Sequence, residues 1–215
     1  MILKKAEKFS TVNTKVIFIG ALIALTMLAG TIHAAGDAAA GARKSTSCGA
    51  CHGADGNSVN PQWPSIAGQH ESYFANTLRA FQNGTRTDVL MTAQAQTLTE
   101  QDIEDIAAHF ATQKATRRTA SPTLAEAGER LYRGGNSATN LTACIGCHGP
   151  TGRGNEPAAY PSLTGQHSAY TAKQLNDYQS GIRKSDGNTQ IMRNVAARLT
   201  QDEINALAAY IQGLR

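Results

Sequence analysis

All four cysteines of this 215-residue chain fall in two copies of one short pattern. Cys48, Cys51 and His52 stand in "CGACHG", and Cys144, Cys147 and His148 stand in "CIGCHG". Two thiols three residues apart, followed at once by an imidazole, suit three chemistries. A redox disulfide of thioredoxin type belongs beside a βαβ pattern, and none can be read here. A four-cysteine zinc site would have to join stretches 96 residues apart and would leave both histidines unused. Covalent haem c attachment uses every member of the motif. The two thiols add to the porphyrin vinyl groups, and the adjacent imidazole is placed under the ring to bind iron. The expectation is two haem c groups, attached at Cys48 and Cys51 and at Cys144 and Cys147, with His52 and His148 as iron ligands.

The sixth iron position separates a carrier from a catalyst. The chain has four methionines: Met1 and Met27 near the start, then Met91 and Met192. Met91 precedes Leu98 by seven residues and Met192 precedes Leu199 by seven, so the two later methionines share one position of a repeat. A lone methionine is ordinarily a gap-filler in a core. Retention of one per copy at the same place points instead to ligation, and Met91 and Met192 are the expected second ligands. Among the remaining histidines, His109 is answered by Tyr210 in the second copy and cannot serve both irons. His70 and His167 do correspond, but in "GQH" before a helical stretch they read as capping or solvated residues.

The elements that must position these residues are themselves duplicated. "PSIAGQHESY" (64–73) returns as "PSLTGQHSAY" (161–170), Gly84 and Arg86 return as Gly181 and Arg183, and "LTEQDIEDIAAHF" (98–110) returns as "LTQDEINALAAYI" (199–211). The second copy gains about four residues near "KSDGN", since the last landmark is displaced by 101 rather than 97. In the final segment of each copy the apolar residues are Ile103, Ile106, Ala107 and Phe110, and Ile204, Leu207, Ala208 and Ile211, a helical spacing. Thr99 with Asp102, and Thr200 with Glu203, supply capping boxes. Helices are also predicted over 72–82 and 169–179, ended by Gly84 and Gly181, with shorter ones containing Gly41, and Gly128 with Tyr132, leading into the cysteine motifs. No run of alternating β-branched residues occurs. The fold class is all-α, a tandem duplication, with the copies expected at 35–118 and 119–215. Domains so small and poor in aromatic residues need a staple, which a buried cofactor would supply.

Residues 1–34 read as a secretory signal peptide. Lys4, Lys5, Lys8 and Lys15 precede an uncharged run from Val16 to Gly30 that is shorter than the roughly 20 residues of a membrane span, with a cut expected after Ala34 and an uncleaved anchor as the alternative. The leader carries four of the 20 basic residues and one of the 16 acidic ones, so the rest of the chain is nearly neutral, and no nucleic-acid partner is expected. Residues 35–118 hold seven basic and eight acidic side chains and residues 119–215 hold nine and seven. This asymmetry could steer a partner to the second copy through Arg183 and Lys184, against an equally serviceable reading as a plain solvated surface.

Both C-x-x-C-H-G motifs, the "P-S-[IL]-x-G-Q" segments, "G-x-R", the paired methionines and the "L-T-x-x-x-I" helices together resemble the dihaem cytochrome c4 family, built from two class I cytochrome c domains. The likeness spans nearly all of the chain after the leader. It implies a periplasmic one-electron carrier, not an enzyme, whose partners are a redox donor and acceptor such as a bc1-type complex and a terminal oxidase, with peripheral membrane association compatible with the role. It further implies that the carbonyls of Pro64 and Pro161 accept hydrogen bonds from His52 and His148. The alternative is a dihaem subunit of an enzyme complex, such as a flavocytochrome c sulfide dehydrogenase. One loop departs from the duplication: Gly128 to Cys144 spans 16 residues where Gly41 to Cys48 spans 7. It could line the second haem edge or a partner surface.

Overall fold

The computed structural model describes residues 35–214; the leader, its expected cut, and Met1, Met27 and His33 lie outside them. Among the described residues regular structure is helical, apart from isolated bridges pairing Asn136 with Leu141 and Asn155 with Tyr160. The first copy contains α1 (Ala38–Lys44), α2 (Thr46–His52), α3 (Glu71–Gln82), α4 (Val89–Gln96) and α5 (Glu100–Ala111). The second contains α6 (Pro122–Gly134), α7 (Ile145–His148), α8 (Ser168–Gln179), a 3-10 turn (Gly187–Thr189), α9 (Ile191–Ala196) and α10 (Gln201–Gly213).

Each copy is organised around its last helix. α5 opens on the Thr99–Asp102 capping box and α10 on Thr200–Glu203, as their sequences predict. Ile103, Ile106, Ala107 and Phe110 of α5 bury against Phe74, Leu78 and Phe81 of α3. Ile204, Leu207 and Ile211 of α10 bury with Tyr132, Leu141 and Leu199. The first helix of each copy crosses the last at a glycine. A β-carbon on Gly41 would stand 1.9 Å from the Asp105 carbonyl oxygen, and one on Gly128 would stand 2.1 Å from that of Ala206. Only glycine permits so close an approach of two helix backbones.

The helices that carry the methionines are short, and sequence periodicity did not predict them. Each is held from behind by a glutamine. Gln82 Nε2 donates to the carbonyls of Ala95 and Leu98, both at 2.9 Å, and Gln179 Nε2 donates to those of Ala196 and Leu199, at 3.0 and 2.7 Å. Their starts differ. Asp88 caps α4 by accepting from the backbone N–H groups of Leu90 and Met91. The extra residues of the second copy form the 3-10 turn, and Asp186 ties it to α9 through Arg193 at 2.7 Å.

The two copies pack on each other with a near-two-fold exchange of contacts. Arg86 donates to Tyr170 and Gln174, while Arg183 donates to Tyr73 at 2.8 Å. Arg183 is buried and stacks over the Tyr178 ring at 4.5 Å. This overturns its expected role as a steering charge. Both readings of the charge asymmetry placed Arg183 in solvent, whereas the turn after Gly181 folds it into the interface. Lys184 is exposed, although its backbone N–H reaches Thr85 across the same interface. The Tyr73 phenol, which burial alone would push up, is brought down to about 8 by the Arg183 and Arg86 guanidiniums.

Candidate functional site

The cysteine motifs wind as helix at their histidine ends. Cys48, Cys51 and His52 lie on α2, and Cys144 caps α7, which carries Cys147 and His148. All four thiols are unpaired and half-buried. Among the described residues no three His, Cys, Asp or Glu side chains converge on a metal-sized point, so the two pairs are not gathered into a four-cysteine site. Burial raises the Cys48 thiol above its ordinary value and pushes Cys144 up to about 11. Thiols so placed are kept neutral.

Both motif histidines are buried, and both are oriented through one ring nitrogen. His52 Nδ1 lies 2.8 Å from the Pro64 carbonyl oxygen, and His148 Nδ1 lies 3.1 Å from that of Pro161. A carbonyl can only accept, so Nδ1 carries the proton in each ring and Nε2 presents its lone pair. Burial lowers both imidazole pKa values, outweighing the proline hydrogen bonds, and so favours the neutral form that binds metal. The glycine after each histidine has positive φ, 83° at Gly53 and 76° at Gly149, which turns the chain out of the helix toward the proline segment.

Met91 packs with Cys48, Ile66 and Leu98 against the first core. Met192 is half-buried on α9. The flanks of these methionine positions are apolar and open: Val89 is 89% exposed, Leu90 59% and Ile191 39%. Uncovered apolar side chains beside a soft thioether, in a copy whose motif offers two thiols and a neutral imidazole, suit a large flat apolar group with a metal at its centre. The donor set therefore fits haem in each copy.

The rival histidines have other work. His70 and His167 stand at the N-cap positions of α3 and α8, but neither side chain caps its helix and His167 is buried rather than solvated, which corrects the capping or solvated reading. Their Nε2 atoms reach across the interface, His70 to the Arg153 carbonyl at 2.6 Å and His167 to that of Ser58 at 2.8 Å. This contact was not legible in the sequence, because it is made by the other copy. Gln69 and Gln166, which recur in "GQH", cross the same boundary. Gln69 holds both backbone groups of Ser162, and Gln166 holds both of Ser65. The long loop of the second copy turns back onto its own helices: Asn136 donates to Glu203 and Arg198 donates to the Thr139 carbonyl.

The family model described as Cytochrome c matches the chain twice, over residues 38–114 and 125–215. A cytochrome c4 of Azotobacter vinelandii is 49% identical over 196 residues, covering 87% of this chain and 93% of that relative. A thiosulfate dehydrogenase electron acceptor of Thiomonas intermedia is 35% identical over 80% of this chain and 81% of its own length. The crystal structure of reduced recombinant cytochrome c4 from Pseudomonas stutzeri superposes with a TM-score of 0.82 at 49% identity, covering 84% of this chain and all of that one.

Proposed function

This chain belongs to the cytochrome c4 family of tandem cytochrome c domains, and from that premise we propose that His52 with Met91 and His148 with Met192 hold the irons of its two haems. It is a dihaem electron carrier rather than an enzyme, with two covalently bound haem c groups attached through Cys48 and Cys51 and through Cys144 and Cys147. The observation that carries the ligand reading is the pair of oriented imidazoles, His52 on Pro64 and His148 on Pro161, each in a copy with one methionine at the equivalent place. Bound haem iron takes up and returns a single electron. The chain's residues decide how readily. The thioethers of Met91 and Met192 would favour the reduced iron, would raise its potential relative to a second imidazole and would keep oxygen from binding there. Burial of His52 and His148 acts in the same direction by excluding water from the charged oxidised state.

The leader at residues 1–34 exports the chain to the periplasm, and the domains run over 35–118 and 119–215. The Arg118 side chain straps the junction, donating to the carbonyls of Gly165 and Ser58 and to Ser65 Oγ. The partners are redox proteins, with a bc1-type complex as donor and a terminal oxidase as acceptor. The test is anaerobic mixing of the reduced protein with oxidase-containing membranes, followed by admission of oxygen. Rapid reoxidation of both haems, abolished by an oxidase inhibitor, is the expected result; reoxidation no faster than in buffer would contradict it. A second reading has one observation in its favour, the likeness to the Thiomonas electron acceptor. In that case the purified chain would be reduced by a thiosulfate-oxidising enzyme and would copurify with it.

A further inference from the structure

One pair of the contacts between the copies falls on a particular peptide unit in each. The carbonyl of Pro64 and the N–H of Ser65 belong to the same amide. The carbonyl side accepts from His52 Nδ1 at 2.8 Å, and the N–H side donates to Oε1 of Gln166, in the other copy, at 3.0 Å. The second copy repeats the arrangement: the Pro161 carbonyl faces His148 Nδ1 at 3.1 Å, and the Ser162 N–H donates to Oε1 of Gln69 at 2.9 Å. Each glutamine is locked in place. Gln166 Nε2 donates to the Ser65 carbonyl at 2.8 Å and Gln69 Nε2 to that of Ser162 at 3.0 Å, while the following backbone N–H groups, of His167 and His70, donate to the same Oε1 atoms.

We propose that Gln166 and Gln69 are positioning residues that tune the haem of the opposite domain, through the peptide that orients its histidine. The inference rests on the reading of His52 and His148 as iron ligands. An amide whose N–H is engaged by an acceptor is polarised, and its carbonyl becomes the stronger acceptor; hydrogen bonds in such a chain reinforce each other by roughly 10–30%. A stronger pull on Nδ1–H makes the imidazole more electron-rich at Nε2 and favours the oxidised iron. Each glutamine therefore holds down the potential of the haem in the opposite domain. A clamp serving adhesion alone could grip any backbone group at the boundary. Here the Oε1 of each clamp takes the N–H of the amide whose carbonyl holds the histidine, in both copies, while Nε2 grips the next carbonyl along.

The test uses the full holo-protein with Gln166→Leu, Gln69→Leu and Gln166→Glu. Each haem is assigned by through-space NMR contacts to its own domain and titrated spectroelectrochemically. Gln166→Leu should raise the reduction equilibrium constant of the first-domain haem by up to about tenfold, ~59 mV for a one-electron couple. The second haem should move less than about twofold, and the Nδ1–H resonance of His52, not of His148, should shift. Gln69→Leu should do the reverse. Gln166→Glu keeps an acceptor at Oε1 and should leave the first haem at or below its original potential. Gln166→Asn is the milder variant should leucine prevent assembly, and it should move the first haem in the same direction by less. Equal movement of both haems, movement in the substituted domain, no movement, or the same rise with Glu as with Leu would overturn the proposal. Absence of two histidine-ligated haems in the unsubstituted protein would instead defeat the ligand reading on which it rests.

Discussion

Gly41 of α1 lies so close over α5 that a β-carbon there would stand 1.9 Å from the carbonyl oxygen of Asp105. The neighbouring atom is helix backbone, which cannot rotate aside as a side chain would. Gly41→Ala should therefore destabilise the first domain by about 1–3 kcal/mol, the range typical of an overpacked contact. Gly128→Ala should do the same to the second through Ala206, at 2.1 Å. Thermal unfolding followed at each haem separately checks this, and an unchanged midpoint in both variants would contradict it.

The first core is small, with Phe74, Leu78, Phe81, Ile103, Ile106 and Phe110 as its large members, and Cys48 packs directly against it. Replacing Cys48 and Cys51 by alanine should remove one haem and loosen chiefly the first domain, because a core this size is marginal without its cofactor. Intact mass should fall by one haem in addition to the two sulfur atoms. Hydrogen exchange should quicken in α1 to α5 more than in α6 to α10.

Lys44 bridges Asp102 at 2.7 Å and the buried Asp105 at 2.6 Å. The Lys44 contacts come first in holding both carboxyls at about 2, below their usual 3.8, helped at Asp102 by Thr99 and at Asp105 by the Asp37 backbone and Gln101. A depressed folded value means that the unfolded chain takes up protons first as pH falls. The stability these groups add is thus complete above about pH 4 and is lost as pH drops toward 2. Lys44→Met should lower the melting temperature at neutral pH and flatten its decline between pH 4 and 2. A decline as steep as that of the unsubstituted protein would show that the pair is not responsible.

The duplication, the haem motifs, the capping boxes and the long helices were legible because each leaves a local mark: a fixed spacing, a helical period, a threonine three residues before an acid. The helices of Met91 and Met192 left none. α9 has only six residues, and both are held by side chains from elsewhere, Gln82 and Gln179. Arg183 misled for a related reason. A residue two after a turn glycine looks solvated until the other domain is present to cover it with Tyr73. The same holds for Gln69, Gln166, His70 and His167, whose recurrence was visible and whose partners, lying roughly 80 to 110 residues away, were not.

The account stands most directly on the assignment of one methionine to each iron. Proton NMR of the fully reduced holo-protein tests it, because a methionine bound to haem iron lies over the ring and its methyl signal is displaced far upfield by the ring current. Two such three-proton signals are expected, one lost in Met91→His and the other in Met192→His, each loss accompanied by a lower potential at one haem alone. Fewer than two displaced signals in the unsubstituted protein, or their survival in the matching variant, would contradict the account.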